Sequence, residues 1–133
     1  MIAYMFDTNT ISDIIRADER VLSHVEALDP EQCCVSAITA AEVAYGLAKR
    51  PLASRLQRLT RSVMDRLKAL PWDTEVAERY GKLRAAQERR GEILGALDLM
   101  IAAHALTCQL TLVTSDQAFG RVRGLITQNF RNS

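Results

Sequence analysis

Four acidic side chains stand where a bare charge is expensive or conspicuous. Asp7 ends the apolar run Ile2-Ala3-Tyr4-Met5-Phe6 and is followed by a hydroxyl and an amide, Thr8 and Asn9. Asp116 follows a second apolar run, Thr111-Leu112-Val113-Thr114, after Ser115. Glu42 has Ile38, Ala40, Ala41, Val43, Ala44, Tyr45 and Leu47 around it, and Asp98 has Leu97, Leu99, Met100, Ile101, Ala102, Ala103, Ala105 and Leu106. A helix apolar on every side is normally buried, and a buried carboxylate needs a cation or several donors. Acids gathered at one place repel unless a metal neutralises them. Mg²⁺ suits such a set, because it takes a few carboxylates and keeps waters for a phosphate substrate. Each acid also has a plainer reading. Asp7, Asp98 and Asp116 stand where an aspartate caps a helix, and Thr39-Ala40-Ala41-Glu42 fits a capping box.

The elements that must position these acids alternate between short strands and helices. The Ile2–Phe6 run reads as a strand and is followed by a short helix to about Arg16. A second helix covers Val21 to Leu28, stopped by Asp29-Pro30. Cys33-Cys34-Val35 is a strand, leading through Ser36 into a helix that ends at Ala48 before Pro51. Leu52, Leu56, Leu59, Val63 and Leu67 recur at helical period, with Arg55, Arg58, Arg61, Arg66 and Lys68 between them. Ala69–Trp72 is an edge strand, where Pro71 is tolerated. A helix from Thr74 to Arg90 is buried through Val76, Tyr80 and Leu83 and stops at Gly91. A last helix covers Leu97 to Thr107, Thr111–Thr114 is a strand, and Leu125–Thr127 completes the set. Such alternation indicates an α/β fold with a parallel sheet of about four to five strands. Ligands of such sheets bind beyond the carboxyl ends of the strands, where Asp7 and Asp116 fall.

A chain of 133 residues with 48% hydrophobic and 25% charged side chains fits one soluble domain, residues 1–133. No apolar run reaches the ~18 residues that span a bilayer, and the start lacks a signal peptide, so a cytoplasmic protein without membrane contact is expected. Cys33, Cys34 and Cys108 form no CxxC pair and are expected to be buried thiols. The net charge of +1 hides an asymmetry. Residues 1–48 hold two basic and eight acidic side chains, and residues 49–90 hold twelve basic and five acidic. An acidic end beside a basic middle can hold cations next to a polyanion, although a solvated basic helix pair gives the same count.

Met5-Phe6-Asp7-Thr8-Asn9, Ser36 to Gly46, Leu97 to Ala105 and Val113-Thr114-Ser115-Asp116 together resemble the motifs of PIN-domain ribonucleases, and most closely the VapC toxins of type II toxin–antitoxin pairs. The motifs span nearly the whole chain in order. The resemblance implies an α/β/α sandwich and a divalent-metal site of Asp7, Glu42, Asp98 and Asp116, the last being the acid whose position varies in the family. Thr8, Asn9, Thr39, Thr114 and Ser115 would orient the acids or the substrate; their ordinary role is cap and turn hydrogen bonding. The implied reaction is Mg²⁺- or Mn²⁺-assisted hydrolysis of an RNA phosphodiester, with tRNA the foremost substrate class. RNA would approach over Arg55, Arg58, Arg61, Arg66, Arg79, Lys82, Arg84, Arg89 and Arg90. The family also implies a homodimer and a cognate antitoxin whose tail covers the active-site groove. His104, six residues from Asp98 and so about 240° around the helix, should point away from the acids, and His24 is structural.

Two other functions compete. A phosphoacceptor using Asp7 wants a lysine near a late strand, and no lysine follows Lys82. A PIN-like fold kept as a non-catalytic nucleic-acid-binding module is compatible with every residue above.

Overall fold

Strand residues alternate between two apolar faces, and that alternation sets the layers. In the computed structural model, which describes residues 1–132, β1 (Tyr4–Phe6), β2 (Cys33–Ser36), β3 (Lys68–Leu70), β4 (Thr111–Val113) and β5 (Thr127–Gln128) form one sheet. All its pairings are parallel, in the order β3-β2-β1-β4-β5. Met5, Cys34 and Leu112 pack to one side with Leu99, Ile101, Ala102 and Ala105. Phe6, Cys33, Val35 and Val113 pack to the other with Ile11 and Val21. Both faces are thus covered, as a parallel sheet requires, and a fully buried Met5 or Phe6 contributes ~1.5–3 kcal/mol.

The helices are α1 (Thr8–Ile15), α2 (Glu19–Glu26), α3 (Ala37–Ala48), α4 (Ser54–Met64), α5 (Thr74–Arg90) and α6 (Ala96–Cys108). Residues of α1, α2 and α4 cover the Phe6 side, and those of α5 and α6 the Met5 side. This is the expected α/β/α sandwich. Helix α3 belongs to neither layer alone, since Ile38 packs into the first core and Val43 into the second. The end of the chain folds back over α1 and α2. Phe130 stacks on His24 at 4.8 Å between ring centroids, and Arg131 grips the buried Asp13 through two 2.8 Å hydrogen bonds.

Several boundaries differ from expectation. Helix α4 is Ser54–Met64, so Leu52 and Leu67 lie outside it. Leu52 is fully exposed and Leu59 partly so, while Thr60 is the buried residue of that helix. The last strand is Thr127–Gln128 rather than Leu125–Thr127, because its pairing to Leu112 and Val113 sets the register. Cys108 is exposed, not buried; it ends α6, beyond the stretch the sheet covers. Cys33 and Cys34 are buried as expected, and burial pushes the Cys34 thiol up to about 12. Among the described residues, no helix is long and apolar enough to cross a membrane. Ser133, the end of the expected domain, lies outside the described residues.

Candidate metal and active site

The strand order places the site. From β1 the chain moves outward through β2 and β3 on one side and returns to β4 and β5 on the other. The crevice where such an order reverses is the usual ligand site of an open parallel sheet, and here it lies between β1 and β4. Asp7 follows β1, Thr114-Ser115-Asp116 follows β4, and the Asp7 N–H donates to the Val113 carbonyl at 3.1 Å.

Two of the four acids also cap. One Asp7 oxygen accepts from the Thr10 N–H at 2.8 Å, closing the N-terminus of α1. Asp116 accepts from the Ala118 N–H at 2.9 Å, opening the 3-10 turn Gln117–Arg121. The other two do not. Glu42 takes a 2.6 Å hydrogen bond from the Thr8 hydroxyl, across 34 residues of sequence. The capping box expected at Thr39 is absent, because the chain turns helical one turn earlier with Ser36 as the cap. Asp98 caps nothing either, since Gly95 is the N-cap of α6. Among the described residues, no hydrogen-bond donor reaches its carboxylate.

Electrostatics tie the four together. Burial pushes the Asp98 carboxyl above the usual carboxylate range, and Asp116, Glu42 and Asp7 push it further. Burial also raises Asp7, with Asp116 adding to the rise, while Thr114 and Thr10 pull the other way. Asp98 therefore feels three acids and has no donor to offset them, the condition under which a cation is favoured. Among the described residues, no three acids close on one point as a ready-made cage. The donor set is all oxygen, which suits Mg²⁺ or Mn²⁺ held partly through water.

The remaining expected residues divide. The Thr114 hydroxyl accepts from the Asp116 N–H at 3.0 Å, fixing the turn that presents that acid. Thr39 is fully buried with an unpartnered hydroxyl. Ser115 is half-buried and Asn9 is exposed on the first turn of α1. His104 is buried on α6 and hydrogen-bonds Ser36 rather than an acid. Two basic residues outside the expected set share a cleft with one of the acids, Glu42. A cleft of about 310 Å³ lined by Thr8 and Glu42 is also lined by Ser12, Lys49 and Arg50. Their position at the end of α3, just before Pro51, was the available signal. The arginines of α4 and α5 do not line it.

Comparison with known proteins agrees with this fold. Residues 4–125 match the family model described as PIN domain. The chain is 32% identical to the tRNA(fMet)-specific endonuclease VapC of Salmonella typhimurium over 94% of its length and 96% of that protein. It is 33% identical to the Ribonuclease VapC2 of Haemophilus influenzae, over 98% of this chain and 99% of the other. The DNA-bound VapBC complex of Salmonella typhimurium holds a chain that superposes with a TM-score of 0.90 at 31% identity, covering 98% of this chain and 99% of that one.

Proposed function

Since the chain belongs to the PIN-domain family, among the VapC ribonucleases of toxin–antitoxin pairs, we propose that it cuts RNA at the Asp7, Glu42, Asp98 and Asp116 cluster with a divalent metal. The observation that carries this is Asp98, a partly buried carboxylate with no donor, whose charge is opposed by burial and by Asp116, Glu42 and Asp7. Glu42 and Asp98 come from separate helices and Asp7 and Asp116 from separate strand ends, so it is the fold, not nearness in sequence, that would bring them to one metal. Bound Mg²⁺ or Mn²⁺ would activate a water for in-line attack and neutralise charge on the leaving oxygen.

The chain's own groups prepare that chemistry. Asp7, Glu42, Asp98 and Asp116 would hold the metal, and the Thr8 hydroxyl fixes the Glu42 carboxylate. Thr114 holds the turn that carries Asp116, and Asn9, Ser115 and Thr39 would orient the acids or the substrate. Lys49 and Arg50 line the cleft beside Glu42 and would meet substrate phosphates there. tRNA is the substrate class, supported by the name of the Salmonella typhimurium relative. A cognate antitoxin is the partner, supported by the VapBC complex that shares the fold. The exposed row Ala41, Ala44, Tyr45 and Ala48 on α3 offers an apolar face for a protein, a second copy of the chain or the antitoxin.

The test is incubation of the purified, antitoxin-free chain with total tRNA and Mg²⁺. Cleavage is expected, and both EDTA and Asp7→Asn should abolish it. Cleavage that survives EDTA would remove the metal. RNA binding without cleavage of any RNA class would favour the non-catalytic binding module.

A further inference from the structure

Helices α3 and α6 each bring one acid to the site, so something must set their spacing. Ser36 is the last residue of β2 and the N-cap of α3; its hydroxyl accepts from the Ile38 N–H at 3.1 Å. His104 lies in the middle of α6. Its Nδ1 is 2.8 Å from the Ser36 Oγ, across 68 residues of sequence. Ser36 is 0% exposed and His104 1%, so water does not compete for this bond. A buried hydrogen bond whose loss strands both partners holds geometry more firmly than apolar contact, which can slide.

Elsewhere α3 is held by the packing of Ile38 and Val43, by the Thr8–Glu42 bond and by Gln57, which donates to the Leu47 carbonyl; none of these hydrogen bonds reaches α6. Thr39 is its one buried residue, with a hydroxyl that has no partner. Glu42 lies six residues after Ser36, and Asp98 six residues before His104. The link therefore stands at a matching distance from each acid. We infer that His104 is a positioning residue: by holding the Ser36 cap it fixes α3 against α6 and sets the distance between Glu42 and Asp98. This rests on the metal reading above. His104 itself touches neither the acids nor the substrate.

Partners that orient metal ligands typically change affinity 10–100-fold when removed. Calorimetric titration of Mn²⁺ into the metal-free chain tests the inference, with folding of each variant followed by circular dichroism. His104→Leu fills the space without the bond and should weaken Mn²⁺ binding by about tenfold or more. His104→Asn puts a polar group near the place of Nδ1 and should restore most of the affinity. Ser36→Ala removes the bond from the other side, and its effect should not add to that of His104→Leu. Wild-type affinity in a folded His104→Leu, or full additivity of the two changes, would overturn the inference alone. Should His104→Leu not fold, Ser36→Ala and His104→Asn decide: Ser36→Ala binding Mn²⁺ as the wild type does would overturn it. A wild-type chain that takes up no Mn²⁺ would overturn the metal reading and this inference with it.

Discussion

Helices α3 and α6 have nearly the same composition and opposite surroundings. Both are rich in alanine and larger apolar residues, and both carry a single acid. In α6, six of thirteen residues are buried; in α3, one of twelve. The difference is position in the sheet order. Helix α6 lies flat on the face beneath Met5, Cys34 and Leu112. Helix α3 crosses from one layer to the other at the edge of the sandwich and leaves Tyr45 64% exposed. Apolar composition thus marks a surface that will be covered, and does not say whether this chain or a partner covers it.

The sharpest way to break that comparison is one substitution made in both helices. Ala102→Glu puts an unpaired charge at a fully buried site and should cost upwards of ~4 kcal/mol, a large share of the ~5–15 kcal/mol that keeps a domain folded. Ala44→Glu, on the exposed face of α3, should change the stability of the isolated monomer by less than ~0.5 kcal/mol. Urea denaturation of both variants measures this. If α3 pairs with a second copy, Ala44→Glu should also move the chain to a later elution volume on size exclusion.

Next in size is Asp98→Asn. RNA cleavage should fall by roughly two orders of magnitude or more, as a ligand matters at least as much as its supports. In EDTA the same variant should melt higher than the wild type, because burial and three acids oppose the Asp98 charge. The sign follows from proton binding. With its folded titration raised, Asp98 holds its proton more tightly in the folded state. It costs stability above the raised value, and that cost disappears as pH falls toward the ordinary 3.8. The gap in melting temperature between Asp98→Asn and wild type should therefore be widest near neutral pH and close on acidification. A gap independent of pH would show that the charge of Asp98 is not what the fold opposes. The smallest effect is expected from Thr8→Val, which frees Glu42 from its 2.6 Å hydrogen bond. About tenfold loss of cleavage with little change in melting temperature is expected, read by initial rates at fixed Mg²⁺.

Much of this was legible from residue order. The Ile2–Phe6 run foretold the central strand, and Gly91 with the arginines before it marked where α5 ends. Asp7 was readable both as a cap and as a site acid, and the structure shows one of its oxygens capping α1 while Asp116 adds to the rise of its carboxyl. Asp98 and Glu42 were distinguished from caps only by their apolar neighbours. Neither turns out to be part of a cap: α6 is capped by Gly95 and α3 by Ser36. What could not be read were the features set by contacts far apart in sequence. The Thr8–Glu42 bond, the His104–Ser36 bond and the cleft holding Lys49 and Arg50 all join separate elements. Local periodicity carries no trace of them. The exposure of α3 was hidden for the same reason, because periodicity describes a helix and not what lies against it.

The central place of β1 has a consequence for how the chain is made. Its three residues pair with Thr111, Leu112 and Val113, more than a hundred positions later, and Thr10 adds a bond to the Val113 carbonyl across 103 residues. Contacts of such range close slowly, because a long loop must be ordered before they form. A nascent chain that has not reached Thr111 leaves Asp7 on a strand with one open edge, and Asp116 does not yet exist. The proposed metal site is thus among the last things synthesis can assemble, and a chain cut short before Asp116 lacks one of its four acids.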